Sequence, residues 1–93
     1  SASEGQSLGF VSEVAPEGQA LAVARRWAAQ ILECAPLSIR ASKQAAIEGM
    51  AAESLEAAIK GRYSQIKAMY GSDDFIEGPR AFSEKRPPSW QGH

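Results

Sequence analysis

One cysteine and one histidine stand in this sequence of 93 residues. A single cysteine cannot close an internal disulfide, and one Cys with one His cannot supply the four ligands of a structural zinc site. A catalytic thiol needs a base beside it. The only imidazole, His93, is far along the chain from Cys34, so Cys34 is expected to be a small apolar side chain buried near a helix end. There is no carboxylate cluster wrapped around a glycine turn and no glycine-rich phosphate loop. No metal centre is therefore expected. Basic residues show no excess either: 10 Lys and Arg face 11 Asp and Glu, for a net charge of −1. A surface that displaces counterions from nucleic acid needs the opposite balance. No apolar run approaches the roughly 20 residues that span a bilayer. No signal peptide or lipidation box is visible. Sparing cysteine use suits a reducing compartment, and a cytoplasmic location is the expectation.

Long apolar side chains are also scarce. Apolar residues make up 44% of the sequence, but many are alanines, which remove little area from water. A chain this short buries only roughly 60–65% of its unfolded surface. Its apolar positions suit packing on something larger better than forming a core alone.

What is present reads mostly as helix. Residues 1–7 are small and polar, without a clear period. Phe10, Ser12 and Val14 alternate with Val11 and Glu13, which predicts a short strand or extended segment closed by Pro16. A first helix is expected over 17–33, with Leu21, Ala24, Ala28, Ile31 and Leu32 in one stripe and Trp27 on its flank. Pro36 suits the first position of a second helix over 36–50, weakened near its end by Gly49. Leu55, Ala58, Ile59, Ile66, Met69 and Tyr70 predict a third helix over 54–70, stopped by Gly71. Ser72 then caps a fourth helix, with Asp73 and Asp74 favourable at its positive end. Gly78-Pro79 predicts a kink or a division into two pieces, the second over 79–85. Arg86-Pro87-Pro88 ends regular structure. The fold class is all-α with one short extended segment near the start.

Two sets of residues could carry chemistry. Glu53 with Glu56, and Asp73 with Asp74, are paired carboxylates, but each pair sits at a helix start where carboxylates are favourable without any catalytic role. The stretch Glu77 to Arg86 gathers basic groups around one aromatic. Phe82 and Lys85 are three apart, hence expected neighbours on one helix face. An aromatic beside a cation can stack a purine and pair a phosphate, although a basic helix end also simply suits the dipole.

The order of these features resembles the C-terminal part of the crotonase superfamily, the enoyl-CoA hydratase/isomerase proteins, over essentially the whole chain. The opening SASEGQSLGFVSEVAPEG looks like that family's small-residue helix followed by Gly-Phe-Val. Pro36, Ile39 and Lys43 match its next helix. Ser72, Asp74, Glu77, Gly78, Ala81, Phe82, Glu84, Lys85, Arg86 and Pro88 match its terminal signature. Gly78-Pro79 and Pro88-x-Trp90-x-Gly92 look most like carnitinyl-CoA dehydratase and nearby enoyl-CoA hydratases.

The resemblance implies a segment of an acyl-CoA-processing lyase. Residues 1–16 would lead in from an upstream core, 17–86 would form the C-terminal helical domain and 87–93 a tail. It places the oxyanion hole and the glutamates that activate water in the upstream core. No residue here then inherits a catalytic role, and the segment alone is expected to be inactive. The helices would cover the CoA site and join subunits of a homotrimer or hexamer. Phe82 and Lys85 match positions that contact the adenine and phosphates of CoA, which is a substrate carrier and not a resident cofactor. The competing reading is a free-standing helical interaction module, and a further one is a crotonase homologue that has lost activity.

Overall fold

Ser1 opens the first helix, α1 (Ala2–Ser7), its hydroxyl accepting the Glu4 N–H at 3.2 Å as half of a capping box. The computed structural model describes residues 1–93 and contains helices but no strand. The alternating segment after α1 forms none because no second chain segment pairs with it. The Phe10 and Val11 amides instead donate to the Gly5 carbonyl, each at 3.2 Å. Residues 17–19 turn before the next helix, with the Gln19 N–H on the Pro16 carbonyl at 3.0 Å. α2 (Ala20–Leu32) therefore starts later than its sequence period suggests.

The chain forms two compact units, Ser1–Ile31 and Leu32–His93. In the first, the Glu13 carboxylate accepts the Trp27 indole N–H at 2.8 Å and pairs with Arg26. The Trp27 hydrogen bond and the Arg26 contact hold this carboxyl below its ordinary range. None of the α2 residues is buried. Leu21 is 63% exposed and Leu32 78%.

In the second unit α3 (Pro36–Met50) is the central element. Pro36 at its start loses no helical hydrogen bond, since the first N–H groups have no partner within the helix. α3 packs on α4 (Leu55–Lys60) and most extensively on α5 (Ser64–Tyr70), burying Leu37 and Ala41.

The single helix expected over 54–70 is broken at Gly61, Arg62 and Tyr63. Ser54 caps the first piece, its hydroxyl accepting the Ala57 N–H at 3.1 Å. At Gly61 the backbone leaves the helical region (φ −56°, ψ 139°) and Tyr63 folds back, its phenol donating to the Ala58 carbonyl at 2.6 Å. A Cβ on Gly61 would stand 2.7 Å from the Tyr63 ring, so a larger residue at the break has to displace that ring.

α6 (Asp73–Ser83) runs through Pro79 as one helix, so of the two expected outcomes the division into two pieces does not occur. Pro79 leaves one helical hydrogen bond unmade, but the clash of its ring with the preceding Cβ does not arise, because Gly78 has none. The Ser72 cap is as expected: its hydroxyl accepts the Phe75 N–H at 3.2 Å and donates to the Met69 carbonyl at 2.7 Å.

Residues 87–93 have no regular structure but lie back along α6. The buried Asp74 carboxylate accepts the Gln91 N–H at 2.7 Å and the Gly92 N–H at 2.9 Å, and the Asp73 N–H donates to the His93 carbonyl at 3.0 Å. Trp90 lies over Gly78 and donates its indole N–H to the Glu33 carbonyl at 2.9 Å.

The buried apolar residues are Leu37, Ala41 and Ala81, and no large side chain is fully buried. Cys34 is exposed, contrary to expectation, because it stands in the link between α2 and α3 where no apolar layer covers it. Ile47, Met50 and Leu55 are also exposed. Each forgoes the roughly 1.5–3 kcal/mol that full burial of such a side chain provides.

Candidate functional site

The close of α6 is held by several backbone and side-chain hydrogen bonds. Glu84 is the C-cap, with its N–H on the carbonyls of Arg80 and Phe82. The Lys85 N–H donates to the Phe82 carbonyl at 3.3 Å and the Arg86 N–H to the Ala81 carbonyl at 3.1 Å. These crossed bonds are a Schellman closure, which requires a left-handed residue at the position Lys85 occupies. Lys85 has φ 55°. Glycine is the usual residue at such a site, and a side chain there costs about 1–2 kcal/mol.

Lys85 is therefore not on the same helix face as Phe82, as the spacing suggested, because the helix has already ended. The left-handed turn brings the two together by another route. The Lys85 ammonium stands 5.2 Å from the centroid of the Phe82 ring, within cation–π range. Phe82 is 79% exposed, so most of the ring is accessible to a ligand.

Arg86 fixes this turn. Its Nη1 and Nη2 donate to the two carboxylate oxygens of Glu77 at 2.6 and 2.9 Å, and its Nε donates to Glu84 at 2.6 Å. Glu77 also accepts the Ser89 N–H at 2.8 Å. The Arg86 fork, then the Ser89 amide, lower the Glu77 carboxyl to about 2. The hydrogen bonds to Glu77 and then Glu84 raise Arg86 above its ordinary value.

Two of the other paired carboxylates have partners within the chain. Glu56 forms an exposed ion pair with Lys60 at 2.5 Å, and Asp74 holds the backbone of residues 91 and 92. A groove of about 370 Å³ lined by Asp73, Asp74, Ile76, Glu77, Arg80, Ser89 and Gln91 runs beside α6. Its carboxylates at 74 and 77 are committed to backbone amides and to Arg86.

Residues 1–93 match the family profile described as enoyl-CoA hydratase/isomerase. The chain belongs to this family. Among curated relatives of this enoyl-CoA hydratase/isomerase chain, the carnitinyl-CoA dehydratase of Salmonella typhi is 35% identical, over 99% of this chain and 36% of its own length. Among solved structures, an enoyl-CoA hydratase/isomerase from Mycobacterium paratuberculosis superposes with a TM-score of 0.88 at 33% identity, over 100% of this chain and 36% of its own. The enoyl-CoA hydratase of Mycobacterium tuberculosis gives 0.86 at 32% identity, over 99% and 36%. The chain thus spans about a third of the length of the relatives it matches. No helix in it is long and apolar enough to cross a membrane.

Sequence reasoning placed Phe82 and Lys85 together but gave no role to Glu77 or Arg86. These two are nine residues apart, a spacing that no regular helix brings into contact. Both stand in the terminal signature, and a Lys-Arg pair directly after a helix, with an acidic residue inside that helix, is the local pattern that hints at their contact.

Proposed function

We propose that this chain serves as the C-terminal helical part of an acyl-CoA-processing lyase, an enoyl-CoA hydratase that adds water to 2-enoyl-CoA. In that role its helices cover the CoA site and take part in contacts within a homotrimer or hexamer. The family membership, the extent of the match and the exposed apolar faces of α2 and α3 support this reading. The observation that carries it is the exposed Phe82 ring with the Lys85 ammonium fixed beside it. A ring of this exposure offers area for adenine to stack, and the ammonium offers a charged donor to a phosphate. None of the carboxylates described here is assigned to proton transfer. The residues at 82 and 85 bind and orient, and the reacting carbon lies elsewhere.

The test compares two thioesters in the polypeptide expressed from its natural reading frame: crotonyl-CoA and crotonyl-pantetheine, which lacks the nucleotide. Stacking contributes about 1–3 kcal/mol and an exposed charge pair about 0.2–1 kcal/mol. Phe82→Ala is therefore expected to raise the KM for the CoA ester more than Lys85→Ala, with kcat less affected because nucleotide binding is shared by ground and transition states. Neither variant should alter turnover of the pantetheine ester. Equal losses with both substrates would show that these side chains support the fold and do not read the nucleotide.

A further inference from the structure

Lys85 occupies a backbone position that favours glycine, and the fold spends contacts on keeping it there. The flanking residues Glu84 and Arg86 are joined across it by the Nε hydrogen bond at 2.6 Å. The remaining fork of Arg86 is bound to both oxygens of Glu77. Of the three residues 84–86, only Lys85 directs its charge toward the Phe82 ring. A lysine in a left-handed turn, bracketed by a side-chain bridge and locked to the preceding helix, suits a side chain whose placement matters more than its backbone comfort.

We infer that Arg86 and Glu77 are positioning residues for the nucleotide end of the ligand, their forked ion pair locking the turn that holds the Lys85 ammonium beside Phe82. The inference rests on the reading of Phe82 and Lys85 proposed above. It adds that affinity for the nucleotide depends on the geometry of the Arg86–Glu77 pair and not on its charge alone. Lysine at 86 would keep the charge but cannot form the fork.

The experiment is a double-mutant cycle on the polypeptide expressed from its natural reading frame, with CoA titrated calorimetrically. Lys85→Gly is expected to weaken CoA binding by about three- to fivefold, and Arg86→Lys by about two- to threefold. The double variant should bind no more weakly than Lys85→Gly alone, because Arg86 acts through the ammonium that is already gone. Losses that simply multiply would overturn the inference and leave Arg86 a structural residue only. If Arg86→Lys does not fold, Glu77→Gln is carried through the same cycle with the same expectation. A Lys85→Gly protein that binds CoA as tightly as the unaltered one removes the functional reading itself, as does an unaltered protein that does not bind CoA.

Discussion

Gln44 of α3 caps α5 from outside: its side-chain oxygen accepts the Gln65 N–H at 2.8 Å, while its nitrogen donates to Ser64 at 3.2 Å. α5 needs this because its own N-cap, Tyr63, makes no side-chain bond to the helix. Gln44→Ala should thus cost about 0.5–2 kcal/mol, the range for losing a helix cap. Urea denaturation of the chain and its variant measures this, and the Gln65 amide should lose hydrogen-exchange protection. An unchanged midpoint would show that water replaces the cap without loss.

At the break between α4 and α5, Gly61→Ala puts a methyl against the Tyr63 ring. The ring is anchored through its hydroxyl to Ala58, so overpacking should cost about 1–3 kcal/mol. The Gly61→Ala, Tyr63→Ala double variant should lose less than the sum of the two single losses, because the clash partner is gone. Additive losses in thermal melts would assign the effect to the backbone instead.

Acid should weaken the close of α6. The Glu77 carboxyl lies at about 2 in the folded chain against an ordinary 4.5. A depressed folded value means that its contribution to stability is fully present above about pH 4.5 and fades as the pH falls toward about 2. Between pH 6 and pH 3 the melting temperature of the chain should fall further than that of Glu77→Gln, which has no carboxyl to protonate. Parallel curves for the two proteins would rule out this contact as a source of acid sensitivity.

The exposed apolar side chains lead to a prediction about assembly. Contiguous apolar faces in water tend to find partners. The 93 residues alone should therefore self-associate, seen as concentration-dependent sedimentation, and should leave the enoyl absorbance of crotonyl-CoA unchanged. A monomer at all concentrations with cooperative unfolding would favour a free-standing helical module. Saturable turnover that tracks the purified chain would place catalytic groups within it.

Helix α3 was legible in the sequence because Pro36 marks its first turn. The start of α6 was legible because Ser72, Asp73 and Asp74 act within one turn of it. The division between α4 and α5 was hidden: the apolar period continues across it, and the break depends on Tyr63 turning onto Ala58. The cap of α5 comes from a residue 20 positions earlier, beyond any local pattern. At the candidate site the pairing of Phe82 with Lys85 was readable, but for the wrong reason. Lysine gives no sign of a left-handed backbone, so helical spacing stood in for a turn. Glu77 and Arg86 were legible only as part of the terminal signature, and their contact stayed hidden because only that turn, by reversing the chain, makes them neighbours.

The reversal at Lys85 also decides where the last residues emerge. Because Asp73 and Asp74 grip residues 91–93, the chain after His93 would leave beside the first turn of α6, not beside Phe82. Phe82 lies nine residues after Asp73 along α6, about 13–14 Å at 1.5 Å per residue. A dye or affinity handle attached after His93 would thus sit most of the helix length from the aromatic ring. It could report on docking at the ring without occupying the same space.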